Sequence, residues 1–260
     1  MFATIINDCR DQNAMGRQTI RVSSLLGVQP TTIGIENETE AAGNLIDCLD
    51  AASGRPGVIL VNVAPRHNND YPNGVPFCYV NIGEILVLTT ASTVVLGLIK
   101  KMGLAQTYQL LDIPAISGWA EQNRLIDPAW ASRMTSTQFR SYEFLPWMAS
   151  IMNKGWVDFP HQQLPLPDQP LPSIWYIDCF GNAKTTALQN EITPANNGMV
   201  TTELGQLKYY NRLKDVPDHE AGLVVGSSGI ADKRFLEIVV NGQSAAAKFN
   251  LKTGQAIFRQ

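Results

Sequence analysis

Apolar positions in the first half of the chain alternate between two rhythms. Residues 3–6 form a short apolar run ending at Asn7-Asp8, and residues 13–26 place Met15, Ile20, Val22, Leu25 and Leu26 at roughly helical spacing. A strand feeding a helix through a polar turn is the expected α/β signature. A second strand at 31–35 leads into NETEAAGNLIDCLDAAS (37–53), helical by composition, which GRPG breaks before the β-rich VILVNV (58–63). Pro65 stops that strand and Asn73-Gly74 marks a turn. PFCYV and EILVLTT then read as a strand pair ahead of the helical TVVLGLIKKM (93–102). The pattern predicts one layered α/β domain over residues 1–158.

Beyond it, PHQQLPLPDQPLP places five prolines, at 160, 165, 167, 170 and 172, in an extended segment, and residues 159–173 read as a proline-rich linker. From 174 to 260 the rhythm is that of short β-rich runs, SIWYIDCF, GLVVG, FLEIVVNG and AAAKFNL, separated by Gly, Asn and Pro turns. The expected fold is therefore an α/β N-terminal layered domain plus a smaller, mostly antiparallel β C-terminal domain. No internal repeat is present.

Composition narrows the function classes. With 260 residues, 45% of them hydrophobic and 17% charged, the chain is long enough to bury a sizeable core. Its 20 basic against 23 acidic residues give a formal charge of −3, without the basic stripe that a nucleic-acid partner demands. The apolar runs fall well short of the ~20 residues that span a bilayer. No membrane partner is expected, and with no leader at MFATIINDCRD the default location is cytoplasmic. Cys9, Cys48, Cys78 and Cys179 form no CxxC pair and read as reduced thiols. His67, His161 and His219 show no metal-ligand spacing, so no metal is expected.

Neither GxGxxG nor a P-loop occurs, and GSSG at 226–229 lacks the order of a serine hydrolase. Two features remain. Asp8 follows the first strand, where an open α/β sheet places its ligand crevice and where a carboxylate can accept hydrogen bonds from a ribose diol; the other reading is a helix cap or turn residue. IDCFGN (177–182) joins an acid, an aromatic ring and an amide; the other reading is a β-turn with Phe180 in the core.

These motifs combine. IDCFGN, GSSG and FLEIVVNGQSAAAKFNL together resemble the C-terminal domain of the S-adenosylmethionine hydroxide adenosyltransferase family, whose relatives include the fluorinase and chlorinase. The family's Asp-x-Phe-Gly-Asn turn is matched by Asp178, Phe180, Gly181 and Asn182, its serine step by Ser227 and Ser228, and its Leu-Glu-Ile strand by Leu236, Glu237 and Ile238, with extra residues after Gly229. IINDCRDQNAMG resembles the family's opening strand, with Asp8 and Asp11 at its two acids. The family's catalytic positions depart: Ala64 stands before Pro65 where the hydrolysing members carry an acid, Phe139 where they carry a His, and Arg140, Ser141 and Tyr142 replace Gly-Arg-Asp.

The resemblance implies S-adenosylmethionine as substrate or ligand, with its ribose near Asp8, its base near Phe180 and Asn182, and its amino-acid end near Asp178 and Ser227 or Ser228. It implies an adenosyltransferase or hydrolase that displaces methionine from the ribose 5′ carbon, or a non-catalytic S-adenosylmethionine or adenosine binder of the same fold. It also implies a homotrimer, for which Trp119, Trp130 and Trp147 are candidate interface anchors, with core burial as the other reading. Arg66, His67 and Asn69 are candidate catalytic polar groups, or a solvated loop.

Overall fold

The computed structural model describes residues 1–64, 74–168 and 170–258. Pro65, Arg66, His67, Asn69 and Asn73 lie outside the described residues. The chain opens β1 (Phe2–Asn7), α1 (Gln12–Leu26), β2 (Thr31–Gly34), α2 (Glu38–Ala52) and β3 (Gly57–Asn62). A hairpin of β4 (Phe77–Ile82) and β5 (Ile85–Thr90) and helix α3 (Thr93–Met102) follow. Next come β6 (Thr107–Leu111), α4 (Ile113–Gln122), α5 (Pro128–Ser136), α6 (Arg140–Asn153) and β7 (His161–Pro165). All seven strands join one sheet in the order β2-β1-β3-β5-β4-β6-β7, with β2, β1, β3 and β5 parallel.

Burial on both faces explains the unbroken apolar runs of the inner strands. Ile6, Ile59, Val61 and Val87 pack with Leu45 and Ile46 of α2 and Leu96 and Ile99 of α3. Their neighbours Ile5, Val58, Leu60 and Leu88 point the other way, into Val22 of α1, Ile116 of α4, Met134 of α5 and Phe144 and Met148 of α6. Trp147 is buried in this second cluster, and Trp119 and Trp130 are partly buried against it. Helix starts are set by side-chain caps: Asp11 accepts from the amide of Ala14, Asn37 from those of Thr39 and Glu40, and Ser92 from that of Val95.

The proline-rich segment is extended, and its first part is used as an edge strand: β7 pairs antiparallel with β6, from Thr107↔Pro165 to Leu111↔His161. An edge tolerates proline, because the missing N–H would face away from the sheet.

The C-terminal half comprises β8 (Ile174–Ile177), β9 (Ala183–Leu188), β10 (Met199–Thr202), β11 (Gly205–Tyr210), β12 (Ala221–Ile230), β13 (Lys233–Val240) and α7 (Ala245–Phe249). The strands form a six-stranded sheet, β10-β11-β12-β13-β9-β8, antiparallel except between β11 and β12. The expected architecture is thus observed. One element differs: AAAKFNL is a short helix instead of a strand. Ser244 caps it by accepting from Ala247 N–H, and its three alanines favour helix. The extra residues after Gly229 form the β12–β13 turn, where Ala231 takes φ 51° and its N–H donates to Asp50 of α2.

The two sheets meet through α2 and α3. Phe235 and Leu188 join the core cluster of these helices, and Trp175 lies against Gly43, where any Cβ would overlap its ring. Polar links fix the orientation: Arg234 pairs with Asp50 at 2.8 Å, Gly229 N–H donates to Asp47 at 2.9 Å, and Lys101 pairs with Glu191 at 2.5 Å. Burial pulls the Lys101 ammonium below its ordinary range, and Glu191 works against that pull. Among the described residues, no helix is long and apolar enough to cross a membrane, and no group of three His, Cys, Asp or Glu could hold a metal ion.

Candidate ligand clefts

The chain leaves β1 for β2 on one side, while β3 lies on the other, so the carboxyl ends of β1 and β3 frame the sheet's topological switch point. Asp8 stands there, as the sequence position predicts. It is not the helix cap, a role that falls to Asp11. Its carboxylate accepts from Ala64 N–H at 2.9 Å and from Asn62 Nδ2 at 3.2 Å, and Asn62 also donates to Asn7 Oδ1 at 2.9 Å. Asp8 therefore clamps the end of β3 to β1, with lone pairs left over on each oxygen.

Two clefts flank this clamp and share the wall formed by Cys9, Val63 and Ala64. The first, of about 790 Å³, contains Asp8, Asp11, Glu36 and Glu38 and, among the described residues, a single cation, Arg10, which is paired with Glu36 at 2.6 Å. Excess carboxylate suits a cationic or hydroxyl-rich ligand. The second, of about 640 Å³, runs between α1, the α5–α6 junction and the ends of β3 and β5. Phe139 lines it as an exposed side chain, beside Arg140.

The Asp178–Asn182 segment closes the β8–β9 hairpin. Asp178 Oδ1 accepts from the amides of Phe180 and Asn182, both at 2.9 Å, and Oδ2 accepts from Asn182 Nδ2 at 3.1 Å. Gly181 takes φ 82° and sits so close to Ser244 that no side chain fits, while its carbonyl accepts from Ala246 N–H at 2.8 Å. The turn reading of the sequence is correct, but Phe180 is no core residue: its ring is 75% exposed at the tip.

Ser227 is exposed and Ser228 buried on β12. The Ser228 hydroxyl bonds Lys184 Nζ at 2.8 Å, and the ammonium also lies 5.7 Å from the Trp175 ring. Glu237 completes this group. Burial, and then the charges of Asp178 and Asp47, push its carboxyl above the ordinary range against the pull of Lys184. Its Oε1 has no hydrogen-bond partner among the described residues, and Gly226 leaves the room it occupies. The structure thus brings Asp178, Ser227 and Ser228 into one neighbourhood with Lys184, Glu237 and Asp47. Asp8 belongs to a different one, since the described residues that line its cleft all come from the N-terminal half. Sequence reasoning assigns no role to Asp47, because only tertiary packing sets α2 against the β12–β13 hairpin.

No disulfide joins the four cysteines; Cys48 is half-buried, which pushes its thiol up to about 11.

An α/β unit with helices on both faces of its sheet, carrying a mostly antiparallel second sheet, with an acid-rich cleft and an acid-fixed aromatic turn, defines a two-part α/β protein. In its C-terminal part, residues 172–258 match the family model of the SAM hydroxide adenosyltransferase C-terminal domain. The whole fold is similar to crystal structures of an uncharacterized conserved protein from Thermotoga maritima (TM-score 0.68, 15% identity, 99% of each chain covered) and of a conserved hypothetical protein from Thermus thermophilus (TM-score 0.57, 17% identity, 99% of this chain and 98% of the other). No curated protein sequence matches the chain.

Proposed function

We propose that the protein binds S-adenosylmethionine, or an adenosine derived from it, between the Asp8 cleft of one subunit and the Asp178–Asn182 turn of the next, within a cytoplasmic homotrimer. The observation that carries this reading is the turn itself. Three hydrogen bonds to one carboxylate hold a fully presented aromatic ring next to an amide, ready to stack on a flat base and read its edge. The acid-rich cleft at Asp8 complements a sulfonium and a ribose diol. The placement of Asp8 and Asp178 in separate neighbourhoods of one chain supports a site shared between subunits. Metal ions are not part of this proposal.

The reaction that goes with it is displacement of methionine from the ribose 5′ carbon by a small nucleophile. The sulfonium is already a good leaving group, so alignment and exclusion of water do most of the catalysis. Arg66, His67 and Asn69 remain the candidates for handling the nucleophile. A second reading, binding without turnover, is favoured by Ala64: it offers no acid, and its N–H is already engaged by Asp8. Calorimetry with S-adenosylmethionine tests the binding, and chromatography of the mixture separates the readings. Adenosine, or a 5′-halogenated product when halide is supplied, marks the enzyme. Saturable heat without product marks the binder, and absence of heat refutes both. Ala64→Asp should leave binding intact and raise hydrolysis if only the acid is missing.

A further inference from the structure

We propose that the 640 Å³ cleft between α1 and the α5–α6 junction binds an oxyanion, the phosphate or carboxylate group of a small molecule, with Arg17 and Arg140 as its recognition residues. The inference stands on charge and geometry in the N-terminal half and does not depend on the nucleoside reading.

Among the described residues, this wall carries two guanidinium groups and no carboxylate, in contrast to the four carboxylates of the cleft next to it. Arg10, Arg133, Arg212 and Arg234 each hold an ion pair; Arg17 and Arg140 hold none among the described residues. Both are braced from one side by an aromatic face. Arg17 lies 4.8 Å from the Tyr142 ring, with Arg21 4.7 Å from the same ring, and Arg140 lies 5.2 Å from the Phe77 ring. A guanidinium stacked on a ring keeps its N–H edge for bidentate contact with a planar or tetrahedral oxyanion. Arg140 spends one N–H on the Val75 carbonyl, at 2.9 Å, and is otherwise half-buried without a counter-charge among the described residues. That arrangement is unfavourable unless an anion arrives from outside.

Two further features converge on the same space. Helix α6 starts at Arg140 with no side-chain cap; the amides of Tyr142 and Glu143 donate to the Phe139 carbonyl, which leaves those of Arg140 and Ser141 to face an incoming anion beside the two arginines. Thr90, 3% exposed at the end of β5, lines the cleft with a hydroxyl that has no hydrogen-bond partner among the described residues. The volume is that of a small-molecule site and far exceeds the need of a halide.

Calorimetric titration of the full chain with sodium phosphate, with sodium succinate and with sodium chloride, at low ionic strength, tests the proposal. Saturable binding of phosphate, succinate or both is expected, weakening as salt rises. Phosphate alone points to a phosphorylated ligand and succinate alone to a carboxylate. Arg17→Gln, an exposed position that should leave Tm unchanged, is expected to weaken binding by roughly tenfold, and Arg140→Lys, which keeps charge but loses the fork, by a similar factor. No saturable heat with either oxyanion, chloride binding as well as they do, or affinity unchanged in both variants overturns it. Phe180→Ala should leave this titration unaffected, so failure of the nucleoside reading is separately visible.

Discussion

At the scale of single residues, the structure separates groups that hold the site from groups that are free to touch a ligand. Asp178 is committed to its own turn, so Asp178→Ala should cost about 1–3 kcal/mol by leaving partly buried amides unpaired, which denaturant unfolding would measure. Any accompanying loss of ligand would then be ambiguous. Phe180→Ala is the sharper probe. Its ring is exposed, so stability should stay within about 0.5 kcal/mol, whereas loss of stacking should weaken nucleoside binding by about 1–3 kcal/mol. Glu237 carries a pH prediction. Its folded-state carboxyl titrates above the ordinary value, so the fold favours the protonated form; stability declines as pH rises from the ordinary carboxylate range through the folded-state pKa and is level beyond it. Glu237→Gln should therefore raise Tm at pH 8 and leave it nearly unchanged at pH 4 by calorimetric scanning.

At the scale of elements, α2 decides how the two halves meet. One side of it fills the sheet core through Leu45, Ile46 and Leu49, and the remainder receives Trp175, the β12–β13 turn and Arg234. Gly43 is the position where this contact is closest. Gly43→Ala should destabilise the chain by roughly 1–3 kcal/mol, because a methyl group has to displace the Trp175 ring, even though alanine is the better helix former. A shift in tryptophan fluorescence should accompany it. An unchanged Tm would mean that the interface between α2 and the C-terminal sheet relaxes at little cost.

For the whole molecule, the decisive quantity is assembly. The nucleoside reading needs Asp8 and Asp178 from different subunits, so light scattering at micromolar protein should report three chains. A monomer that nevertheless binds S-adenosylmethionine would remove the shared-site geometry and keep the ligand. The two clefts at the switch point differ in sign, acid-rich at Asp8 and arginine-lined beside Phe139, and they share one wall.

The sequence by itself determined the alternation of strand and helix in the first half, because inner strands buried on both faces are written as unbroken apolar runs and helices announce their caps. It also marked the Asp178–Asn182 turn, whose acid, glycine and amide serve local backbone needs. The polar edge strands β6 and β7 were not legible, since one half-solvated TYQLL and one HQQLP carry no periodic apolar signal, and AAAKFNL carries the look of a strand although Ser244 and its alanines encode a helix. Tertiary structure alone decided that Phe180 faces solvent, that Asp47 and Lys184 gather around Glu237, and that Arg17 and Arg140 share a cleft with no carboxylate among its described residues. The physical reason is common to all three: charge balance and exposure belong to surfaces assembled from distant segments, and a chain's local pattern reports only which face of each segment is buried.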